Sequence, residues 1–207
     1  MFPLNVPNVL TVLRILLVPV LVVALTTGLK NGDTIAAVVF ALAAFTDGLD
    51  GYIARSRKSI TTFGKVMDPI ADKMLITAAL IALVSLNRLA AWVAMVIIAR
   101  EFAVSSLRVA AAQQGAIIPA SILGKLKTVI QIGAVMALIA ANDAHATWVE
   151  VLVGLMVAAT VGSGVDYFLN VRREIEEARE RLHAQRNART GVETSRSSSS
   201  SREVPRM

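Results

Sequence analysis

Apolar residues run along this chain in stretches of about 20, broken by short polar intervals, and about 20 is the length a helix needs to cross a bilayer. Six such spans are expected, near 9–29, 34–55, 67–86, 89–110, 122–142 and 148–170. Asn31-Gly32-Asp33 and Asn87-Arg88 read as tight turns, which makes the first two pairs of spans helical hairpins. Beyond Arg172 the pattern changes. Glu174 to Arg189 is charged, with Ile175, Ala178, Leu182 and Gln185 along one face, and reads as a helix leaving the membrane with its charges solvated. The Ser/Arg-rich remainder from about Thr190 is expected to be disordered. The expected fold is therefore an all-α integral membrane protein: six transmembrane helices over 1–172 around a polar cavity open to the cytoplasm, a charged cytoplasmic helix over 173–189, and a tail over 190–207.

Composition narrows this further. With 55% hydrophobic and 5% aromatic residues in 207, the chain is too apolar for an ordinary soluble domain. Cysteine is absent, so neither disulfides nor thiolate metal sites are available. The net charge of +6 points to an anionic lipid bilayer rather than nucleic acid, because the basic residues border apolar spans. With the N-terminus in the cytoplasm, only Lys30 and Arg88 of the 21 Lys and Arg fall on the far side. This positive-inside pattern predicts a multi-pass protein of the cell membrane with both termini cytoplasmic. The first apolar run lacks a small-residue cleavage pattern and is expected to be a retained helix.

Against that apolar background, the stretch from Asp47 to Asp72 carries four carboxylates. On helices, Asp47 and Asp50 are i,i+3 neighbours and Asp68 and Asp72 are i,i+4 neighbours, so each pair shares a face. Four carboxylates at close range repel unless cations occupy the site. An all-oxygen ligand set suits Mg²⁺ or Mn²⁺. Gly51 and Gly64 remove side chains where a bulky ligand could approach the backbone, and Arg55 lies one turn beyond Gly51. Metal-binding carboxylates beside glycine and arginine are recurring equipment for holding a pyrophosphate.

Asp47, Asp50, Gly51, Ala54, Arg55, Gly64, Asp68 and Asp72 resemble, in identity and spacing, the signature of the CDP-alcohol phosphotransferase family. The resemblance covers roughly residues 3–172. It implies a membrane enzyme that moves a phosphatidyl or similar group from a CDP-linked donor to an alcohol and releases CMP. It also implies that the four aspartates hold two divalent ions, that Asp72 is the candidate general base, and that the chain forms a homodimer.

Two further clusters bear on the substrates. Asn8, Thr11 and Arg14, at spacing three, form one helical stripe suited to meet a nucleotide or its phosphate. A capping Asn8 and an Arg14 that snorkels to headgroups are the alternatives. Arg100, Arg108, Lys125 and Lys127 form a basic set suited to an acceptor phosphate. Glu101 among them orients an arginine, since an unpaired carboxylate there would be costly. Both stretches resemble the branch of the family whose acceptor is glycerol 3-phosphate, which implies CDP-diacylglycerol and glycerol 3-phosphate as substrates. Neighbouring members would use inositol phosphate or phosphatidylglycerol. A divalent-cation transporter would also place carboxylates at helix ends, but would not need Gly51, Gly64 and Arg55 beside them. Gly162 and Gly164 permit close helix packing, and Asp166 after them is expected to pair with an intramembrane base or hydrogen-bond a neighbouring helix.

Overall fold

The computed structural model describes residues 6–57, 62–113, 122–141 and 143–200. Six helices follow one another among them: α1 (Val6–Thr26), α2 (Gly32–Arg57), α3 (Thr62–Ser85), α4 (Ala91–Gln113), α5 (Ile122–Ala140) and α6 (Thr147–Ser200). No strand occurs among the described residues. Among the described residues, three helices carry windows long and apolar enough to cross a membrane on their own, Val9–Thr26, Ile122–Ala140 and Thr147–Val171. Among the described residues, α2 and α3 contribute the apolar stretches Gly32–Thr46 and Lys73–Ser85, within helices of 26 and 24 residues.

The two tight turns have identifiable causes. After α1 the hydroxyls of Thr26 and Thr27 bond back to the carbonyls of Val22 and Val23, and Gly28 adopts a left-handed φ of 65° that ends the helix. Gly32 then opens α2, where a Cβ would collide with the carbonyl oxygen of Ala24. At the end of α3, Arg88 N–H donates to Leu83 at 2.9 Å and Asn87 N–H to Val84 at 3.0 Å. That pair of bonds is a Schellman closure around Asn87, whose φ is 56°. Asparagine tolerates this left-handed conformation better than most side chains.

The chain divides into two compact units, 1–102 with 122–163, and 103–121 with 164–207. In the first unit, α1 packs on α2 and α3, and α5 on α2 and α3. The core is built from Leu21, Leu25, Phe40, Leu80, Leu83, Ile97 and Leu138, interleaved with Ala24, Ala36, Ala43 and Ala79. Small residues on these faces let helix backbones approach closely. The outer surface is also apolar: Val12, Leu16, Val20 and Val23 on α1 and Val38, Leu42 and Phe45 on α2 are exposed. The buried set meanwhile includes Thr11, Arg14, Lys127, Gln131, Thr160 and Ser163. Polar groups inside and apolar side chains outside are the arrangement expected when the solvent is hydrocarbon.

The first unit is tied at one end by a polar clamp. Arg88 donates from Nη2 to Asp33 at 2.6 Å and from Nη1 to the Ile139 carbonyl at 3.1 Å. His145 donates from Nε2 to the Asn87 carbonyl at 3.2 Å. Together these bonds join the start of α2, the α3–α4 turn, the end of α5 and the α5–α6 turn.

The second unit contains the last part of α4 and most of the polar half of α6. There the Arg108 guanidinium lies 5.7 Å from the Tyr167 ring centroid, and Asn170 bonds Asp166 one turn back at 3.1 Å. Among the described residues, the partner of Asp166 is thus Asn170 on its own helix, where a neighbouring helix was expected. The expected boundaries at 173 and 190 do not coincide with helix ends, since α6 continues to Ser200. No proline interrupts 173–200, and its Ala, Glu and Arg residues favour helix.

Candidate active site

The buried stripe of each helix explains where the polar residues go. On α1 the stripe runs Thr11, Arg14, Val18, Leu21, Leu25, at alternating spacings of three and four. It is apolar toward the C-terminus and polar toward the N-terminus. Thr11 is 0% and Arg14 1% exposed, so Arg14 lies on the packed face and not on the lipid-facing one. On α5 the stripe runs Lys127, Gln131, Ala134, Val135, Leu138, again polar at the N-terminal end. On α4 it passes from Val93 and Ile97 to Arg100 and Glu101 near the C-terminal side. The polar end is N-terminal on α1 and α5 and lies toward the C-terminal side on α4, the alternation required if these residues gather at one end of the unit.

The aspartates continue the same arithmetic. Asp47 and Asp50 extend the α2 stripe of Ala36, Phe40 and Ala43, and Asp68 and Asp72 precede Leu75, Ala79 and Ala82 on α3 in register. The backbone at Asp47, Asp50, Gly51, Ala54, Arg55, Gly64, Asp68, Asp72 and Asn8 is helical. Their side chains lie outside the described part. Among the described residues no three His, Asp or Glu gather as a metal site.

The basic cluster is described in detail. Lys127, whose side chain is 5% exposed, is ion-paired with Oε1 of Glu101, and Arg100 Nη1 lies 3.4 Å from the same oxygen. Arg100 Nη2 donates to Ser163 Oγ at 3.0 Å, and Ser163 donates on to the Thr160 carbonyl at 3.1 Å. A continuous polar chain thus links α5, α4 and α6, with one carboxylate shared by two cations. The Nε of Arg100 is buried and has no partner among the described residues. Lys125 is exposed two residues before Lys127, and Arg108 belongs to the second unit. Lys73, next to Asp72, stands 5.9 Å from the Phe102 ring centroid.

Two residues of this region escaped the sequence reading. Ser163 anchors Arg100 from 63 positions away, and nothing local marks it. Gln131 is 3% exposed and borders, with Lys127 and Glu101, a cavity of about 60 Å³. Its signal was present: it is a lone amide one turn after Lys127 in an otherwise apolar run.

Comparison with known proteins defines the class. Residues 4–162 match the CDP-alcohol phosphatidyltransferase family, and the chain belongs to it. A CDP-diacylglycerol–glycerol-3-phosphate 3-phosphatidyltransferase of Bacillus subtilis is 39% identical over 180 residues, covering 79% of this chain and 93% of that protein. A probable phosphatidylglycerophosphate synthase of Mycobacterium tuberculosis is 41% identical over 176 residues, covering 83% of each. A protein of Rickettsia felis that shares the Bacillus enzyme's name is 38% identical over 169 residues, covering 79% of this chain and 93% of its own length.

Proposed function

We infer that this chain is a membrane enzyme of phospholipid biosynthesis that transfers the phosphatidyl group of CDP-diacylglycerol to glycerol 3-phosphate, giving phosphatidylglycerophosphate and CMP. The observation that carries this reading is the eight-position signature from Asp47 to Asp72 set in register with the core stripes of α2 and α3. Relatives named for that reaction match over most of their length.

The acceptor hydroxyl forms a bond to the phosphorus that carries the diacylglycerol, and the bond from that phosphorus to the CMP oxygen breaks. Asp72 accepts the hydroxyl proton. Asn8, Thr11 and Arg14, with Gly51, Ala54, Arg55 and Gly64, bind the nucleotide and its phosphates, and the burial of Thr11 and Arg14 supports that assignment. Asp47, Asp50, Asp68 and Asp72 form a hard-oxygen donor set that fits Mg²⁺ or Mn²⁺. Two such ions, when bound, neutralise the donor pyrophosphate and make CMP a better leaving group. Arg100, Arg108, Lys125 and Lys127 supply the positive charge for the acceptor phosphate. The Arg100 Nε, which has no partner among the described residues, is a donor for it, and Lys127 acts together with Glu101.

On this reading the reaction faces the cytoplasm. Arg88, one of two basic residues at the opposite end, is neutralised by Asp33, which sharpens the charge asymmetry. The apolar outer faces meet the bilayer, and the homodimer that the family resemblance implies belongs to the same proposal.

The test is CMP release by the purified protein with CDP-diacylglycerol and a panel of acceptors. Glycerol 3-phosphate is expected to be the preferred acceptor. Lys125→Ala is expected to raise its KM about ten- to hundred-fold, the loss of one charge-assisted contact to phosphate, while the donor KM holds. Release with inositol phosphate or phosphatidylglycerol, but not with glycerol 3-phosphate, would overturn the assignment.

A further inference from the structure

The two arginines of α4 are held in different ways. Arg100 shares the Glu101 carboxylate with Lys127 and donates to Ser163, so part of its hydrogen-bonding capacity is committed. Arg108 makes no ion pair among the described residues. Asp166 is bonded to Asn170 instead. What meets Arg108 is the ring of Tyr167, with its centroid 5.7 Å from the guanidinium carbon. Tyr167 has no part in the scheme above, and it lies beyond the family match, which ends at residue 162.

The two sides of this contact are unlike. Arg108 is exposed, whereas Tyr167 is 5% exposed and is fixed by its packing. A buried ring beside a long exposed side chain restricts the side chain, not the ring. The electron-rich ring face attracts a guanidinium electrostatically and leaves its planar fork of five N–H donors available. A carboxylate in the ring's place would occupy those donors and repel an arriving phosphate. The Tyr167 hydroxyl is buried and has no partner among the described residues, which is a cost to the fold. The contribution of this residue therefore comes from its ring.

We propose that Tyr167 is a positioning residue: its ring holds the Arg108 guanidinium in place with its N–H groups free for the acceptor phosphate. The proposal rests on the reading of Arg108 as a phosphate-binding residue. Two kinds of arginine then serve the acceptor, one fixed by a carboxylate and a serine, the other by an aromatic face.

The experiment is CMP release titrated separately in each substrate. In Tyr167→Leu the KM for glycerol 3-phosphate is expected to rise roughly three- to tenfold, the worth of a cation–π contact, while kcat and the CDP-diacylglycerol KM hold. Tyr167→Phe keeps the ring and is expected to recover most of that loss. It should also unfold at no lower temperature than the native protein, because a buried unpaired hydroxyl is gone. In an Arg108→Ala background, adding Tyr167→Leu should change the acceptor KM by less than about twofold, since the group it holds is absent. Tyr167→Met fills the same space with a flexible chain and takes the place of the leucine variant if that one does not fold. A rise as large without Arg108 as with it would show that Tyr167 does not act through Arg108, and the proposal would fall. So would a loss in Tyr167→Phe equal to that in Tyr167→Leu, or equal rises in the KM of both substrates, the mark of a packing defect. Arg108→Ala with a native acceptor KM would instead remove Arg108 from the acceptor phosphate, and this proposal with it. A native protein that releases no CMP with glycerol 3-phosphate would overturn the underlying reaction as well.

Discussion

Single residues in this protein are under unequal stress, and the buried charges carry most of it. Lys127 is an ammonium in an apolar interior, tolerable because Glu101 shares the site. Removing only the carboxylate, as in Glu101→Gln, leaves that charge uncompensated and is expected to destabilise the fold by about 3 kcal/mol. The double variant Glu101→Gln, Lys127→Met should recover most of the loss. Thermal unfolding of Glu101→Gln, Lys127→Met and the double variant in one detergent checks this, and additive losses would show that the pair is not coupled. For the aspartates the expectation is functional. Asp50→Asn or Asp68→Asn should lower turnover by more than about a hundred-fold, because even residues that merely support metal ligands are worth ten- to hundred-fold. Insertion into the membrane should be unaffected, and EDTA should reproduce the loss in the unaltered protein, with Mg²⁺ or Mn²⁺ restoring it. Full activity in the double Asn variant would sink the metal assignment.

At the scale of elements, the helices are held at one end by hydrocarbon-like packing plus the Arg88 clamp, and at the other by the polar chain from Lys127 to Ser163. The clamp joins segments distant in sequence through Asp33, Arg88 and the Ile139 carbonyl. Asp33 is about half exposed, so the ion pair is partly screened and its worth is modest. Arg88→Met is expected to lower stability by about 1 kcal/mol and to leave acceptor and donor KM unchanged at permissive temperature. A shift in either KM would show that the clamp end communicates with the catalytic end. Alanines on the packed faces of α1, α2 and α3, such as Ala24, Ala36, Ala43 and Ala79, let these helices approach closely.

For the whole molecule, polarity inside and apolarity outside settle the environment, and charge asymmetry predicts the orientation. Tags at the two termini should be accessible from the cytoplasmic side alone, because nearly all basic residues fall there. Deleting the chain beyond Arg189 should leave CMP release within about twofold, since 190–207 offers no hydrophobic pattern with which to build a site. The family match ends at residue 162, well before that cut. Loss of activity in a deletion that remains folded would assign the tail a role.

Much of this was legible in the chain itself because it depends on local repetition. Helical spans follow from runs of apolar residues, and the aspartate register follows from 3.6 residues per turn; the turn expected at Asn31-Gly32-Asp33 instead has its left-handed residue at Gly28, with Gly32 and Asp33 already in α2, while that at Asn87-Arg88 falls where expected. What the sequence could not decide is which charges are already committed. Arg100 and Ser163 are 63 residues apart, Lys127 and Glu101 26, and Arg88 and Asp33 55. Their pairing depends on how whole helices pack, not on spacing along any one of them. For the same reason Lys127 and Lys125 look equivalent in the sequence, yet one is buried against a carboxylate and the other is exposed. The burial of Gln131, and the small cavity beside it, exist only because four helices meet there.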